Sequence, residues 1–294
     1  MPKGISLHLG LNTIDPNHYG EDGQLYGCEN DAKAMQAIAK AKGFSSTLLL
    51  TEEATTRNVI AAIKHAVNQL KAGDIFLLSY SGHGAQIWDK SVDEPTKEGV
   101  SYQGQDPKTK IDLFWSEGPK DETLCLYDRM YWDDELFAQL AHFAEGVRIL
   151  YIADCCHAES NYKALETTMP PARGLGLDKA MQITQLNQTD YDEAWYKNRD
   201  FVKANNKLKA SLIQLAACQD TQLSGDAYPD DPHPSGVFTK RLLQVWNNGH
   251  FNGTYQQLLN QITQLIPQNW DQTPQYLLEG ASNPIFEQQK PFTI

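Results

Sequence analysis

The chain has 294 residues, 41% hydrophobic and 21% charged, which gives enough apolar material for a sizeable core and excludes wholesale disorder. Its formal charge of −12 and pI of about 5.1 argue against phosphate backbones and anionic membranes as partners. No apolar run approaches the ~18–20 residues of a membrane span, and MPKGISLHLG has no signal-peptide core, so a cytoplasmic location is expected.

Residues 4–10 (GISLHLG) read as a first strand. A polar loop leads to a helix over about 30–42, with Met35, Ile38 and Ala39 on one face and Gly43 as its stop. Thr47–Leu50 is a short strand, and 56–71 a helix with Val59, Ile60, Ile63, Val67 and Leu70 at helical spacing. Ile75–Tyr80 is apolar on both faces, as a buried parallel strand should be. Residues of about 85–130 are polar and without period, and are expected to form a long loop. A helix over 132–145, a buried strand at Val147–Ala153 and a second irregular stretch over about 158–205 follow. Residues 211–217 make a further strand, and Gly236–Trp246 and Thr254–Ile266 are helices. Strands alternating with helices imply an α/β sandwich with a mostly parallel sheet, whose ligand site lies beyond the carboxyl ends of the strands.

Three strand ends carry unusual residues. Tyr80 is followed by Ser81-Gly82-His83-Gly84, Ala153 by Asp154-Cys155-Cys156-His157, and Ala217 by Cys218-Gln219-Asp220. The five cysteines, at 28, 125, 155, 156 and 218, are odd in number and contain no CxxC, so neither a disulfide framework nor a structural zinc site fits. Cys155, Cys156 and His157 cannot face one ion from an extended strand. A strand-end thiol is ordinarily a buried structural cysteine, and a His between glycines can be a turn residue. Together they suit a Cys–His dyad, because a thiol needs a neighbouring base to become a nucleophile at neutral pH.

Tyr80–Gly84 and Asp154–His157 resemble the two signature segments of the metacaspases and, more closely, of their bacterial relatives, the orthocaspases. Gly27–Asp31, Ala217–Asp220 and Gly236–Thr239 fit the same pattern, so the resemblance runs from about residue 3 to 280. It implies one caspase-like peptidase domain, a three-layer sandwich with a large portion to about 160, a linker over 158–208 and a small portion after it. It also implies a monomer acting on protein substrates, with His83 as base, Cys156 as nucleophile, and the N–H groups of Gly84 and Cys156 as oxyanion donors.

By the same resemblance Asp31 and Asp154, flanked by Cys28 and Ser81, line a pocket for a substrate Arg or Lys. Asp31 could otherwise be a helix N-cap. Asp154 disfavours the alternative of an Asp-specific caspase-like protease, and the presence of both His83 and Cys156 disfavours a non-catalytic binding module. Asp121, Asp133 and Asp134 match the family's calcium-binding acids, although the fourth has no counterpart in Ala158–Lys163. Residues 89–135 hold thirteen of the acidic and six of the basic residues, so this segment would attract cations. Relatives cleave themselves after the nucleophile segment, and Arg173, Lys179, Arg199 and Lys203 are the candidates here. Among them Arg173, in Pro-Ala-Arg-Gly-Leu-Gly, is expected to be the most exposed by composition.

Overall fold

The computed structural model describes residues 2–88, 120–156, 171–203, 208–219, 222–228, 230–270 and 272–294, with only the backbone for 88 and 199–203. The elements begin with β1 (Gly4–Gly10), α1 (Pro16–Tyr19), α2 (Cys28–Ala41), β2 (Ser45–Leu50), α3 (Thr56–Gln69), β3 (Ile75–Ser81) and β4 (Gly84–Trp88). After them come β5 (Lys120–Cys125), β6 (Met130–Trp132), α4 (Asp133–Leu140), β7 (Arg148–Asp154), α5 (Leu177–Leu186) and α6 (Gln188–Lys203). The chain ends with β8 (Ser211–Ala216), α7 (Val237–Trp246), α8 (Tyr255–Leu265), β9 (Gln275–Gly280) and α9 (Pro284–Gln288).

Six strands form one sheet in the order β2-β1-β3-β7-β8-β9, parallel throughout except for β9. Side chains alternate between its two faces, and each face has its own core. Leu7, Phe76, Leu78 and Ile149 pack with Val59 and Ile63 of α3 and Leu136 and Leu140 of α4. Ile75, Leu77, Leu150 and Ile152 pack with Met35 of α2, Phe238 and Leu242 of α7, and Leu258 and Ile262 of α8. Each such side chain contributes roughly 1.5–3 kcal/mol by leaving water. Covering on both faces is why β3 is buried at all seven positions and reads as a continuous apolar run. This is the sandwich that the strand and helix alternation predicts.

Two stretches expected to be irregular contain regular structure. The first holds β4, β5 and β6, an antiparallel three-stranded sheet. Its polar look comes from strands such as Lys120–Cys125, where Asp121 and Thr123 are themselves buried, so no apolar alternation shows. The second holds α5 and α6, whose Ala180, Ile183 and Tyr191 pack with Ile87, Met130 and Trp132 of the small sheet. Strand β9 and helix α9 are further elements beyond the expected set.

Candidate active site

The sheet order places the three unusual sequences side by side. β3 and β7 are neighbours with Ser81 opposite Asp154, so the chain leaves both strands at the same level. His83 lies two residues past the end of one strand and Cys156 two past the end of the other. β8, on the far side of β7, ends at Ala216 and delivers the loop that holds Ser224 and Asp226.

The two adjacent thiols face different surroundings. Cys155 joins the large core beside Ala153 and Tyr151, and burial pushes its thiol well above the ordinary value. Cys156 lies in a separate small cluster with Cys218, Leu223 and Ala172. None of the five cysteines forms a disulfide.

His83 is buried, and burial lowers its pKa from the usual value of 6.5 against the opposing pull of its hydrogen bond to Gly23. That bond runs from Nε2 to the Gly23 carbonyl oxygen at 2.8 Å. A carbonyl oxygen only accepts, so Nε2 carries the proton and Nδ1 the lone pair. Nδ1 is buried and has no hydrogen-bond partner. The Tyr80 hydroxyl donates to the His83 carbonyl at 2.6 Å and fixes the turn that presents the ring.

The residues expected to line a specificity pocket converge on Arg173. Its guanidinium lies 2.7 Å from Asp31 Oδ2, 3.0 Å from Asp154 Oδ2 and 2.8 Å from Asp226 Oδ1, and donates to Ser81 Oγ at 2.7 Å. Burial alone would lower the Arg173 pKa, but the carboxylates of Asp154, Asp31 and Asp226 together raise it well above normal, so the group stays charged. Cys28 is fully buried, and desolvation drives its thiol up, so it is a neutral wall of the pocket. A Cβ at Gly236 would stand 2.4 Å from Arg173 Nη1, so only glycine lets the start of α7 close over the guanidinium.

Each carboxylate is held by further donors. Asp31 accepts from Ser235 Oγ and the Gly236 N–H, and Asp154 from Ser224 Oγ and from the N–H and Oγ of Thr239. Asp226 accepts from the N–H groups of Tyr26 and Gly27. Asp31 is not the N-cap of its helix: α2 starts at Cys28, and Asp31 lies a turn inside with its carboxylate turned to the pocket.

Arg173 therefore departs from the exposure its Pro/Gly-rich context suggests: it is 0% exposed. The reason is that Pro171–Leu175 is pinned across the strand ends, with Ala172 bridged to Gly225, a bend at Arg173 and Gly174 bridged to Gly84. Asp226 N–H donates to the Pro171 carbonyl and Arg173 N–H to the Ser224 carbonyl, at 2.7 and 2.9 Å. On the other side Leu175 N–H donates to the Gly84 carbonyl at 2.8 Å. Between them, the Arg173 carbonyl oxygen accepts from the N–H groups of Gly84 and Cys156, at 3.1 and 3.0 Å. Gly174, the next residue, lies against the Cys156 side chain, where an added Cβ would be 2.6 Å from Sγ.

The other expected residues are placed elsewhere. Lys179 lies on α5 and pairs with Glu21 at 3.7 Å. Arg199 and Lys203 fall in the last turns of α6, where their side chains lie outside the described residues. His157 and Asp220 also lie outside them. Asp121 is buried in β5, and Asp133 and Asp134 open α4, with the Asp134 N–H donating to Asp133 Oδ1. Among the described residues no three His, Cys, Asp or Glu side chains are arranged to hold a metal ion, and no step is routed through calcium. Among the same residues no helix is long and apolar enough to cross a membrane.

Sequence reasoning missed Asp226, Ser224, Ser235 and Thr239. Thr239 belongs to the Gly236–Thr239 motif, whereas Asp226 lies in a Gly-, Pro- and Asp-rich run that offers no periodic signal.

Together the six-stranded α/β sheet and its strand-end His and Cys define a caspase-like cysteine peptidase. The chain belongs to the caspase domain family, whose profile matches residues 13–290. Metacaspase-1 of Mycosarcoma maydis is 26% identical over 96% of the chain, and Metacaspase III c of Phaeodactylum tricornutum is 33% identical over 52%. The chain spans 71% of the first relative's length, but 42% of the second's and 40% of Metacaspase-1 of Plasmodium falciparum. A Geobacter sulfurreducens protein of known crystal structure superposes with a TM-score of 0.78 at 39% identity, over 100% of this chain and 99% of that one. Caspase-1 of Spodoptera frugiperda shares the fold at 11% identity, with a TM-score of 0.50 over 95% of this chain and 86% of that one.

Proposed function

We propose that the chain is an Arg-directed cysteine endopeptidase and that its first substrate is its own Arg173–Gly174 bond. The observation that carries this reading is the coincidence at one residue of a guanidinium ringed by three carboxylates and a carbonyl oxygen held by two backbone N–H groups. In this reading Asp31, Asp154 and Asp226 select the basic side chain, with Ser81 completing the cradle. A substrate Asp would add a fourth negative charge to a buried acidic site, which rules strongly against acidic specificity. A Lys would reach the same acids as a single point charge without the guanidinium's fork, so Arg is preferred.

Chemistry follows from the same geometry. The Cys156 thiol gives its proton to His83 Nδ1, the nitrogen left with its lone pair by the bond to Gly23. Sulfur adds to the Arg173 carbonyl carbon, and the developing oxyanion remains on the N–H groups of Gly84 and Cys156. The carbon–nitrogen bond to Gly174 breaks as His83 protonates the leaving amine. Water, deprotonated by His83, then hydrolyses the thioester and returns the thiol.

A panel of fluorogenic peptides differing only in the residue before the reporter tests this reading. Arg substrates should be turned over, Lys substrates more slowly, and Asp substrates not at all. Preference for Asp, or no turnover of any member, would overturn it. The base also sets the acid limb. Because burial lowers the His83 pKa, the neutral ring persists below pH 6.5, so self-cleavage in a pH series should fall off on acidification with a midpoint under 6.5. A midpoint above that value would contradict a buried neutral base.

A further inference from the structure

Resting on the reading of Arg173–Gly174 as the bond that is cut, we infer that the site also selects the two residues after the cut, requiring glycine and then an apolar side chain. The intended substrate class is an Arg-Gly-apolar segment rather than any exposed basic residue.

Two observations carry this. First, Gly174 has no room for a side chain. A Cβ there would lie 2.6 Å from Cys156 Sγ and 3.2 Å from the Cys156 carbonyl oxygen. The second neighbour is backbone two residues past the end of β7, and the first is the attacking atom, whose position is set by the carbonyl carbon it must reach. Relief of the clash by rotating the thiol would take the nucleophile off its target, so the cost falls on the rate as well as on binding. The glycine is needed for space and not for a left-handed backbone, because its φ is not positive.

Second, the residue beyond it is anchored. Gly84 grips the segment on both sides of the bond, its N–H on the Arg173 carbonyl and its own carbonyl on the Leu175 N–H. That pairing turns the Leu175 side chain, 6% exposed, into the apolar cluster of Ile14, Tyr19, Ala85, Ile87 and Trp132. A charged side chain there would lose its hydration with no partner to replace it. The sequence agrees with such a requirement: of the six arginines in the chain, only Arg173 precedes a glycine.

The test uses the self-processed wild-type chain with the peptides Pro-Ala-Arg-Gly-Leu, Pro-Ala-Arg-Ala-Leu and Pro-Ala-Arg-Gly-Asp, with products identified by mass spectrometry. In parallel, self-cleavage of Gly174→Ala is compared with wild type. The Ala and Asp peptides should be cleaved at least about tenfold more slowly than the Gly-Leu peptide, and Gly174→Ala should self-cleave slowly by the same factor. Equal cleavage of all three peptides after Arg would overturn this inference and leave the Arg specificity standing. Cleavage of none would overturn both. The peptide arm involves no mutation, so a folding defect in Gly174→Ala cannot decide the outcome.

Discussion

Purified wild-type chain should separate into two pieces on a denaturing gel, and Cys156→Ala should remain whole under the same conditions. The expected loss is at least about a thousandfold in self-cleavage rate, the scale on which removal of a nucleophile acts when the rest of the site is intact. Folding should be unaffected, because Cys156 belongs to a small cluster with Cys218, Leu223 and Ala172 and not to either of the two cores that hold the sheet. Cys155→Ala is the control. Its thiol is packed in the large core with its pKa raised by burial, so this variant should lose some stability and keep its cleavage. The opposite pattern, with Cys155→Ala whole and Cys156→Ala cut, would exchange the roles of the two thiols. A wild-type chain that separates under native conditions is not required, since Ala180 and Ile183 beyond the cut pack in the small-sheet cluster.

The second large effect concerns stability. Arg173→Ala should cost about 3–5 kcal/mol in denaturant unfolding of uncleaved chains compared in the Cys156→Ala background, because it strands three buried carboxylates. Burial already holds the Asp31 pKa up, and loss of the guanidinium removes the main force pulling it down, so the pocket should take up a proton. Stability of the variant should consequently improve on mild acidification, where Asp31 is neutral in the folded state and less often so in the unfolded one. Arg173→Ala combined with Asp226→Asn should recover part of the loss by removing one of the stranded charges. Arg173→Lys in the otherwise native chain keeps the charge but not the fork. Each hydrogen bond lost to a charged partner is worth ~1.5–3 kcal/mol, so cleavage should persist at least about tenfold more slowly. An Arg173→Ala chain as stable as its parent would contradict a dry pocket whose carboxylates depend on the guanidinium.

Much of this site could be read before any coordinates. Continuous apolar runs marked β3 and β7 as buried parallel strands, and the residues that follow them, His83 and Cys156, were thereby assigned to one edge of one sheet. Asp31, Ser81 and Asp154 were legible through the family pattern, and they do meet around one guanidinium. What escaped was whatever depends on distant pairing. Asp226 acts on Tyr26 and Gly27, some 200 positions away, and nothing local in its loop announces this. The exposure expected of Arg173 follows from Pro and Gly marking an irregular backbone, and an irregular backbone is usually wet. Here the Pro171–Leu175 segment gains its hydrogen bonds from Gly84, Cys156, Ser224 and Asp226, so it can be dry without regular structure of its own. The small sheet is hidden in the sequence for a related reason: a strand whose buried positions include Asp121 and Thr123 carries no hydrophobic alternation.

The position of the cut is the most direct test of the account. Intact-mass analysis and N-terminal sequencing of the processed wild-type chain should give one fragment ending at Arg173 and one beginning at Gly174, both absent from Cys156→Ala. Fragments that begin elsewhere, after Lys179 or Arg199 for example, or the same fragments from Cys156→Ala, would contradict the assignment of Arg173 to the site's own substrate pocket.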